Sequence, residues 1–140
     1  MIRKFEMDDL TDVMNIWLES NIKAHDFIEK NYWQGNYELV KEMLPNATIF
    51  TYVDNKIIRG FVGLIGNHIA GIFVDIESQS KGIGKTLLHH VKEIYSSISL
   101  QVYKNNDNAV QFYLKEDFVI TKEQIDENTK EIEYVMYWEK

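Results

Sequence analysis

Apolar residues recur along the chain with two periods, which distinguish predicted strands from predicted helices. β-Branched and aromatic runs predict strands over residues 2–6, 47–53, 57–65, 69–75, 99–103, 118–121 and 132–138. Apolar positions three and four residues apart predict helices over 8–18, 37–44, 83–95 and 107–115. The pattern predicts an α/β (α+β) protein, with a mostly antiparallel mixed sheet of about six to seven strands flanked by about four helices.

Several local features refine these elements. The turn Asp54-Asn55-Lys56 joins two strands as an antiparallel hairpin. Gly71, inside the strand over 69–75, predicts a bulge or a close approach of the backbone. An aromatic-rich segment, 25–33, separates the first two helices. The predicted apolar face of the third helix comprises Ile83, Leu87, Leu88, Val91, Ile94 and Tyr95.

Composition narrows the class of protein. The 140 residues are 45% hydrophobic with one proline, which fits a single folded domain over 1–140. There is no cysteine, so disulfides, cysteine metal ligands and a cysteine nucleophile are excluded. The net charge of -7 argues against nucleic acid as a partner. The first residues lack the apolar core of a signal peptide, and no apolar run is long enough to span a membrane, so we expect a cytoplasmic protein without membrane contacts.

A glycine-bearing loop separates the strand over 69–75 from the helix over 83–95. Its sequence, QSKGIGKT, contains half of the nucleotide-binding motif G-x-x-x-x-G-K-[S/T], whose backbone amides wrap phosphates. The first glycine of that motif would fall at Gln79, and no later strand ends in an apolar run plus aspartate that could hold magnesium. The sequence therefore argues against an ATP site.

Two other motifs fit better. The loop matches [Q/R]-x-x-G-x-G/A from Gln79 to Gly84, and N-x-x-A-x-x-F-Y matches Asn106 to Tyr113 further along. Through them the chain resembles the GNAT acyltransferase superfamily over nearly its whole length. The resemblance implies the acyl-CoA N-acyltransferase fold and acetyl-CoA as co-substrate, with no metal. The chain has Ser80 and Asp117 where the family usually has glycine. Taken by itself, the loop could also be a simple strand-to-helix turn without a binding role.

The resemblance also implies which residues bind the cofactor. Backbone groups of the strand ending at Ile72-Phe73-Val74 would pair with pantetheine where this strand splays from its neighbour, although both aliphatic side chains also suit the core. Asn106 would contact the cofactor or cap a helix, two roles that stay open. Glycines and the start of a helix suit a pyrophosphate group. The loop residues expected there are Gln79, Ser80, Lys81, Gly82, Ile83, Gly84 and Lys85.

Tyr113 is the candidate catalytic residue. Related families often use this tyrosine as the general acid for the departing thiolate. A thiol titrates near 8.5 and a tyrosine near 10, roughly, so the proton transfer is modestly uphill. A buried tyrosine with a purely structural role is the alternative.

The acceptor side is less defined by the sequence. The family builds it after the first helix, which makes His25 and several aromatic residues candidates, while packing in a core explains them equally well. The base that deprotonates the amine is not identified. The candidate pocket residues are Trp17, His25, Phe27, Trp33 and His68.

These observations predict an N-acetyltransferase that moves the acetyl group of acetyl-CoA to a primary amine by direct attack in a ternary complex. The amine could belong to a lysine side chain, a peptide N-terminus or a small molecule. The competing prediction is a noncatalytic acyl-CoA-binding sensor. Strand edges and aromatic residues leave a homodimer open.

Overall fold

The computed structural model describes residues 1–140 and contains four α-helices and seven β-strands. In chain order these are β1 (Ile2–Lys4), α1 (Leu10–Ala24), α2 (Lys30–Met43), β2 (Thr48–Asp54), β3 (Ile57–Ile65), β4 (His68–Val74), α3 (Ile83–Ile94), β5 (Ser97–Tyr103), α4 (Asp107–Lys115), β6 (Val119–Ile125) and β7 (Ile132–Glu139). The predicted fold class is confirmed. None of the helices combines the length and the apolar character needed to cross a membrane.

All seven strands form one sheet in the order β1-β2-β3-β4-β5-β7-β6. Every neighbouring pair is antiparallel except β4 and β5, which are parallel. These two strands pair only at His68 with Ser99 and at Ile69 with Leu100. Beyond Ile69 they separate, so the sheet has a gap along the second half of β4.

The helices cover both faces of this sheet. In β3 the side chains of Phe61 and Val62, both buried, belong to different hydrophobic clusters, as alternation along a strand requires. Phe61 packs in the cluster of α1 and α2. Val62 packs in the cluster of α3 and α4, whose centre includes Leu87, Leu88 and Val91. The gap between β4 and β5 therefore lies between two packed layers of helices.

A partly buried ion pair fixes the start of α1 against β1. The Asp9 carboxylate accepts hydrogen bonds from both terminal nitrogens of Arg3, at 2.7 and 2.9 Å. It also accepts one from the backbone N–H of Glu6 at 2.8 Å. The hydrogen bond from Arg3 is the largest cause that lowers the pKa of Asp9, and it outweighs the opposing effect of burial. This anchor sets the direction of α1 as it approaches β4.

Some predicted boundaries are wrong. Helix α2 begins at Lys30 instead of about residue 37, and β5 begins at Ser97 instead of Ser99. Strand β6 runs over Val119–Ile125 instead of 118–121. The side chain of Ile94 was expected on the buried face of α3, but the residue is the last of the helix and is 50% exposed.

A bulge, one of the two features predicted at Gly71, lies immediately before this glycine. The register of β3 and β4 shifts between the pairs Gly63–Gly71 and Leu64–Ile69, which leaves Ala70 as an extra residue in a bulge. A Cβ atom at Gly71 would also overlap the ring of Phe73. The glycine is therefore needed for the approach of an aromatic side chain.

Candidate active site

The free edge of β4 exposes backbone groups toward the gap. Asp75 N–H donates to the Arg59 carbonyl at 2.8 Å, so these two residues form a hydrogen-bonded pair at the end of the β3–β4 ladder. In an antiparallel ladder every second pair is of this kind, which directs the backbone of Phe73 to β3 and that of Ile72 and Val74 away from it. The groups of Ile72 and Val74 point to the side where β5 has diverged.

The loop after β4 ends in a left-handed turn that opens α3. Gly82 precedes the helix with a φ of 83°, and Ser80 has a φ of 65°. The carbonyl of Gly82 accepts hydrogen bonds from the Thr86 backbone at 3.0 Å and from its hydroxyl at 2.9 Å. The first N–H groups of a helix have no partner within it and carry a partial positive charge. This helix start can therefore bind an anionic group.

Gln79 holds this loop in place between two other elements. Its side-chain amide donates to the Val74 carbonyl at 3.1 Å, and its side-chain oxygen accepts from Lys23 Nζ at 3.1 Å. The first bond joins the loop to the end of β4, and the second joins it to the last turn of α1. Gln79 thus has a bracing role.

Tyr113 lies on α4, facing the core and the gap. Its side chain is 7% exposed and its ring contacts Phe112 and Phe118 at centroid distances of 5.2 and 5.5 Å. Burial raises the pKa of Tyr113 well above its usual value. The hydroxyl therefore carries its proton at neutral pH. After α4, Asp117 adopts a φ of 73°, so it takes the left-handed turn expected of a glycine there.

Asn106 caps α4, which is one of the two roles predicted for it. Its side-chain oxygen accepts the Ala109 N–H at 3.3 Å, and its side-chain nitrogen lies 3.1 Å from Nε2 of His25. His25 follows α1, so this contact joins residues far apart in sequence. Burial is the main cause that lowers the pKa of His25 to about 4, and the backbone of Asn21 opposes it. The imidazole is neutral at physiological pH.

A cavity of about 800 Å³ occupies the gap. It is lined by most of the predicted cofactor residues together with the catalytic candidate Tyr113 and one acceptor candidate, His25. The predicted residues in its wall are Ile72, Phe73, Val74, Gln79, Ser80, Gly82, Ile83, Gly84, Lys85, Asn106, Tyr113 and His25.

Other predicted site residues do not line this cavity. Lys81 faces a smaller depression beside Arg59 instead. Trp17 and Trp33 are both 8% exposed and pack edge to face in the cluster of α1 and α2. Phe27 packs against His25 at a centroid distance of 5.7 Å. His68, at the other end of β4, bonds Ser99 Oγ at 2.8 Å.

Two cavity residues on α1 were not among the predicted site residues. Ser20 and Asn21 line the cavity and are buried, with their side chains bonded to the carbonyls of Ile16 and Trp17 at 2.6 and 2.8 Å. They follow Trp17 by three and four residues, which continues the apolar stripe of α1. Polar residues at core positions of an amphipathic helix were the signal for this wall of the site.

Comparison with known proteins identifies the family. Residues 19–136 match the family model described as an acetyltransferase (GNAT) domain. The chain belongs to the GNAT acetyltransferase family. The matched range includes the strand gap, the loop before α3 and helix α4, where the two sequence motifs lie.

Relatives of this GNAT chain extend over nearly all of it. It is 31% identical to peptidyl-lysine N-acetyltransferase YiaC of Escherichia coli (strain K12), covering 99% of this chain and 96% of the relative. It is 32% identical to peptidyl-lysine N-acetyltransferase YjaB of Salmonella typhimurium, covering 86% and 83%. Both relatives are N-acetyltransferases by name.

Solved structures agree with the fold. Apo YjaB from Escherichia coli superimposes with a TM-score of 0.88 at 26% identity, covering 99% of this chain and 96% of that one. PaiA N-acetyltransferase from Thermoplasma acidophilum, solved with coenzyme A, has a TM-score of 0.85 at 21% identity, covering 100% and 98%. The second likeness is one of fold alone.

These findings decide between the readings that the sequence left open. The GNAT chain is an N-acetyltransferase that uses acetyl-CoA as its acetyl donor and an amine as acceptor. The glycine loop is not a P-loop, and a noncatalytic CoA sensor is not supported. No three His, Cys, Asp or Glu side chains lie close enough together to hold a metal ion.

Proposed function

We propose that this acetyltransferase acetylates the side-chain amine of lysine in peptides or proteins, by direct attack while both substrates are bound. One observation carries the proposal: a single cavity joins the free edge of β4, the start of α3 and the Tyr113 side chain, and it extends to His25 and Asp26 beyond α1. The two named relatives, both peptidyl-lysine N-acetyltransferases, support lysine as the acceptor.

The residues present fit acetyl-CoA. The backbone groups of Ile72 and the N–H of Val74 face the gap and suit the amides of a pantetheine arm, whereas the Val74 carbonyl already accepts a hydrogen bond from Gln79. The start of α3 and the side chain of Lys85, which lines the cavity, suit the pyrophosphate. Gly84 lies in the cavity wall, where a Cβ would meet the side chains of Ile72, Val74 and Phe112 at 3.9 Å, so only a longer side chain would enter the space for the cofactor.

Tyr113 supplies the proton that the leaving sulfur needs. Bound acetyl-CoA provides a thioester, whose carbonyl carbon takes the amine nitrogen as the carbon–sulfur bond breaks. Tyr113 donates its phenolic proton to the departing sulfur and recovers one from the nitrogen, which must lose two protons on the way from ammonium to amide. The overall reaction releases one proton to solvent. Burial keeps Tyr113 protonated until this step.

Acceptor choice is tested with three peptides of one sequence. The first has a blocked N-terminus and one free lysine, the second a free N-terminus with arginine in place of lysine, and the third has neither amine. Thiol release from acetyl-CoA and the mass of each peptide are measured. We expect acetylation of the first peptide alone. Acetylation of the second alone would replace lysine by the peptide N-terminus, and thiol release without any acetylated peptide would contradict both.

Several other expectations stay predictions. They concern the single domain over 1–140, a cytoplasmic location, a homodimer, and the absence of nucleic acid and membrane partners. The outer strand β6 carries the exposed side chains of Val119, Ile120 and Ile125. Such an edge is the place where a second copy would pair. Light scattering of the purified protein measures its mass in solution.

A further inference from the structure

His25 is held by aromatic rings on several sides. Its imidazole stacks on Trp33 at a centroid distance of 5.2 Å and an angle of 25°. The rings of Phe27 and Tyr103 meet it edge to face at 5.7 and 5.2 Å. Its backbone N–H donates to the Asn21 carbonyl at 2.9 Å. These contacts fix the plane of the imidazole and the direction of its two nitrogens.

The cap of α4 determines which imidazole nitrogen carries the proton. The Asn106 side-chain oxygen accepts from Ala109 N–H, so the Asn106 side-chain nitrogen is the atom directed at His25. An amide nitrogen can only donate. Nε2 of His25 must therefore accept with its lone pair, and the proton lies on Nδ1, which is buried without a hydrogen-bond partner. The pair requires a neutral imidazole.

No charged side chain near His25 opposes this state. Lys23 and Asp26, on either side of it in sequence, are exposed, as is Asp107 at the start of α4. Asp126 lies behind Tyr103 and accepts its hydroxyl at 2.6 Å. None of these charges contributes to the lowered pKa of His25, which comes from burial.

We propose that His25 is a positioning residue for acetyl transfer: its neutral imidazole accepts the Asn106 side-chain N–H and so holds α4, with Tyr113, against the turn that follows α1. The role rests on the proposed function. It also removes His25 as the general base, since the Nε2 lone pair is already engaged. A proton on Nε2 would place two donors face to face and break the link.

The tautomer is the first test, and it needs no activity. Long-range proton–nitrogen correlation spectra of the full chain, labelled with ¹⁵N in histidine, report which ring nitrogen carries hydrogen. We expect the Nδ1–H form without titration between about pH 5 and pH 8. In Asn106→Asp the carboxylate would favour a proton on Nε2, so the midpoint of the His25 titration should move up into this pH range. An Nε2–H form or a charged imidazole at pH 7 in the unsubstituted protein would overturn the inference.

Two substitutions then separate positioning from packing. His25→Phe keeps an aromatic ring without the acceptor, whereas His25→Gln offers a carbonyl oxygen to Asn106. We expect His25→Phe to speed hydrogen exchange of the Ala109 amide about tenfold and to lower kcat with little change in the KM for acetyl-CoA, and His25→Gln to restore part of both. His90→Phe, on α3 and outside the cavity, is the control.

The outcomes distinguish this inference from the proposed function. If no lysine peptide is acetylated but the tautomer and the Ala109 exchange behave as stated, the link between the two elements stands and the acceptor assignment fails. If Ala109 exchange and kcat in His25→Phe match the unsubstituted protein, His25 does not position α4, whatever the acceptor is.

Discussion

At the scale of single residues, the buried Tyr113 is the proposed general acid. Its hydroxyl is protonated at neutral pH, and burial raises its pKa further, so proton transfer to the departing sulfur is more uphill than the ordinary values imply. We expect Tyr113→Phe to lower kcat about 10²-fold, the lower end of what general acid catalysis contributes. The Kd for acetyl-CoA should stay within about twofold, since the ring that packs against Phe112 and Phe118 is retained. Steady-state kinetics and calorimetric titration measure the two quantities.

Tyr137→Phe is the matched control for Tyr113. This tyrosine lies on β7, pairs with Ser99 in β5 and does not line the cavity. Its substitution removes one hydroxyl of the same kind outside the site, and we expect unchanged kcat. Equal activity of both variants would assign Tyr113 to packing and leave the leaving group to be protonated by water.

Individual residues also show what a sequence can assign. A motif fixes the places of Tyr113 and Gly84 relative to a helix, and both residues line the cavity, while their roles stay predictions. The tryptophans Trp17 and Trp33 were candidates for the acceptor pocket and lie in a hydrophobic cluster instead, because an aromatic side chain suits both settings equally. Ser20 is the opposite case: it was not a candidate from the sequence, but it lines the cavity because α1 packs beside β4.

At the scale of elements, the strand–loop–helix unit around Gly82 and Gly84 depends on two separable properties, the backbone conformation of Gly82 and the free space beside Gly84. Gly82 needs a positive φ, 83°, so Gly82→Ala should lower the free energy of unfolding by about 1–2 kcal/mol. Gly84 has room for a Cβ, which would lie 3.9 Å from the side chains of Ile72, Val74 and Phe112. We expect Gly84→Ala to bind acetyl-CoA normally and Gly84→Leu to weaken binding at least about tenfold, or 1.4 kcal/mol. Denaturant unfolding and calorimetry separate the two effects.

The two variants at Gly84 serve as controls for one another. Gly84→Leu should unfold like Gly84→Ala, because its longer side chain enters the cavity and not the core. Weak binding by both variants would mean that the loop, and not the free space, is sensitive at this position. Normal binding by Gly84→Leu would remove the start of α3 from the cofactor site.

Several elements with a strong periodic pattern were predicted closely, but the end of α1 and the start of α2 were not. Strand β3 and helix α4 match their predicted ranges, since strand and helix periods are clear there. Helix α2 was expected about seven residues later because its first turns include Gly35 and Asn31, poor helix formers. It forms because Trp33 packs edge to face on Trp17 at 6.0 Å. That contact joins two helices and cannot be read from local propensity.

At the scale of the whole molecule, the sheet consists of two parts that meet at only two residue pairs, His68 with Ser99 and Ile69 with Leu100. The gap beside them is a place where a ligand can complete the backbone pairing. Acetyl-CoA at one hundred times its Kd adds about 2.7 kcal/mol to the free energy of unfolding. For a chain of this size we expect the Tm to rise by about 5–10 °C.

Hydrogen exchange locates where this stabilisation acts. The amides of Ile72 and Val74 face the gap, whereas that of Phe73 already pairs with β3. Acetyl-CoA should therefore slow exchange at Ile72 and Val74 more than at Phe73, an alternation that a general tightening of the fold would not produce. Adenosine 3′,5′-bisphosphate, which lacks the pantetheine arm, should raise the Tm less and leave Ile72 unchanged. Equal slowing at all three amides would place the cofactor outside the gap, and the two parts of the sheet would then be joined by packing alone.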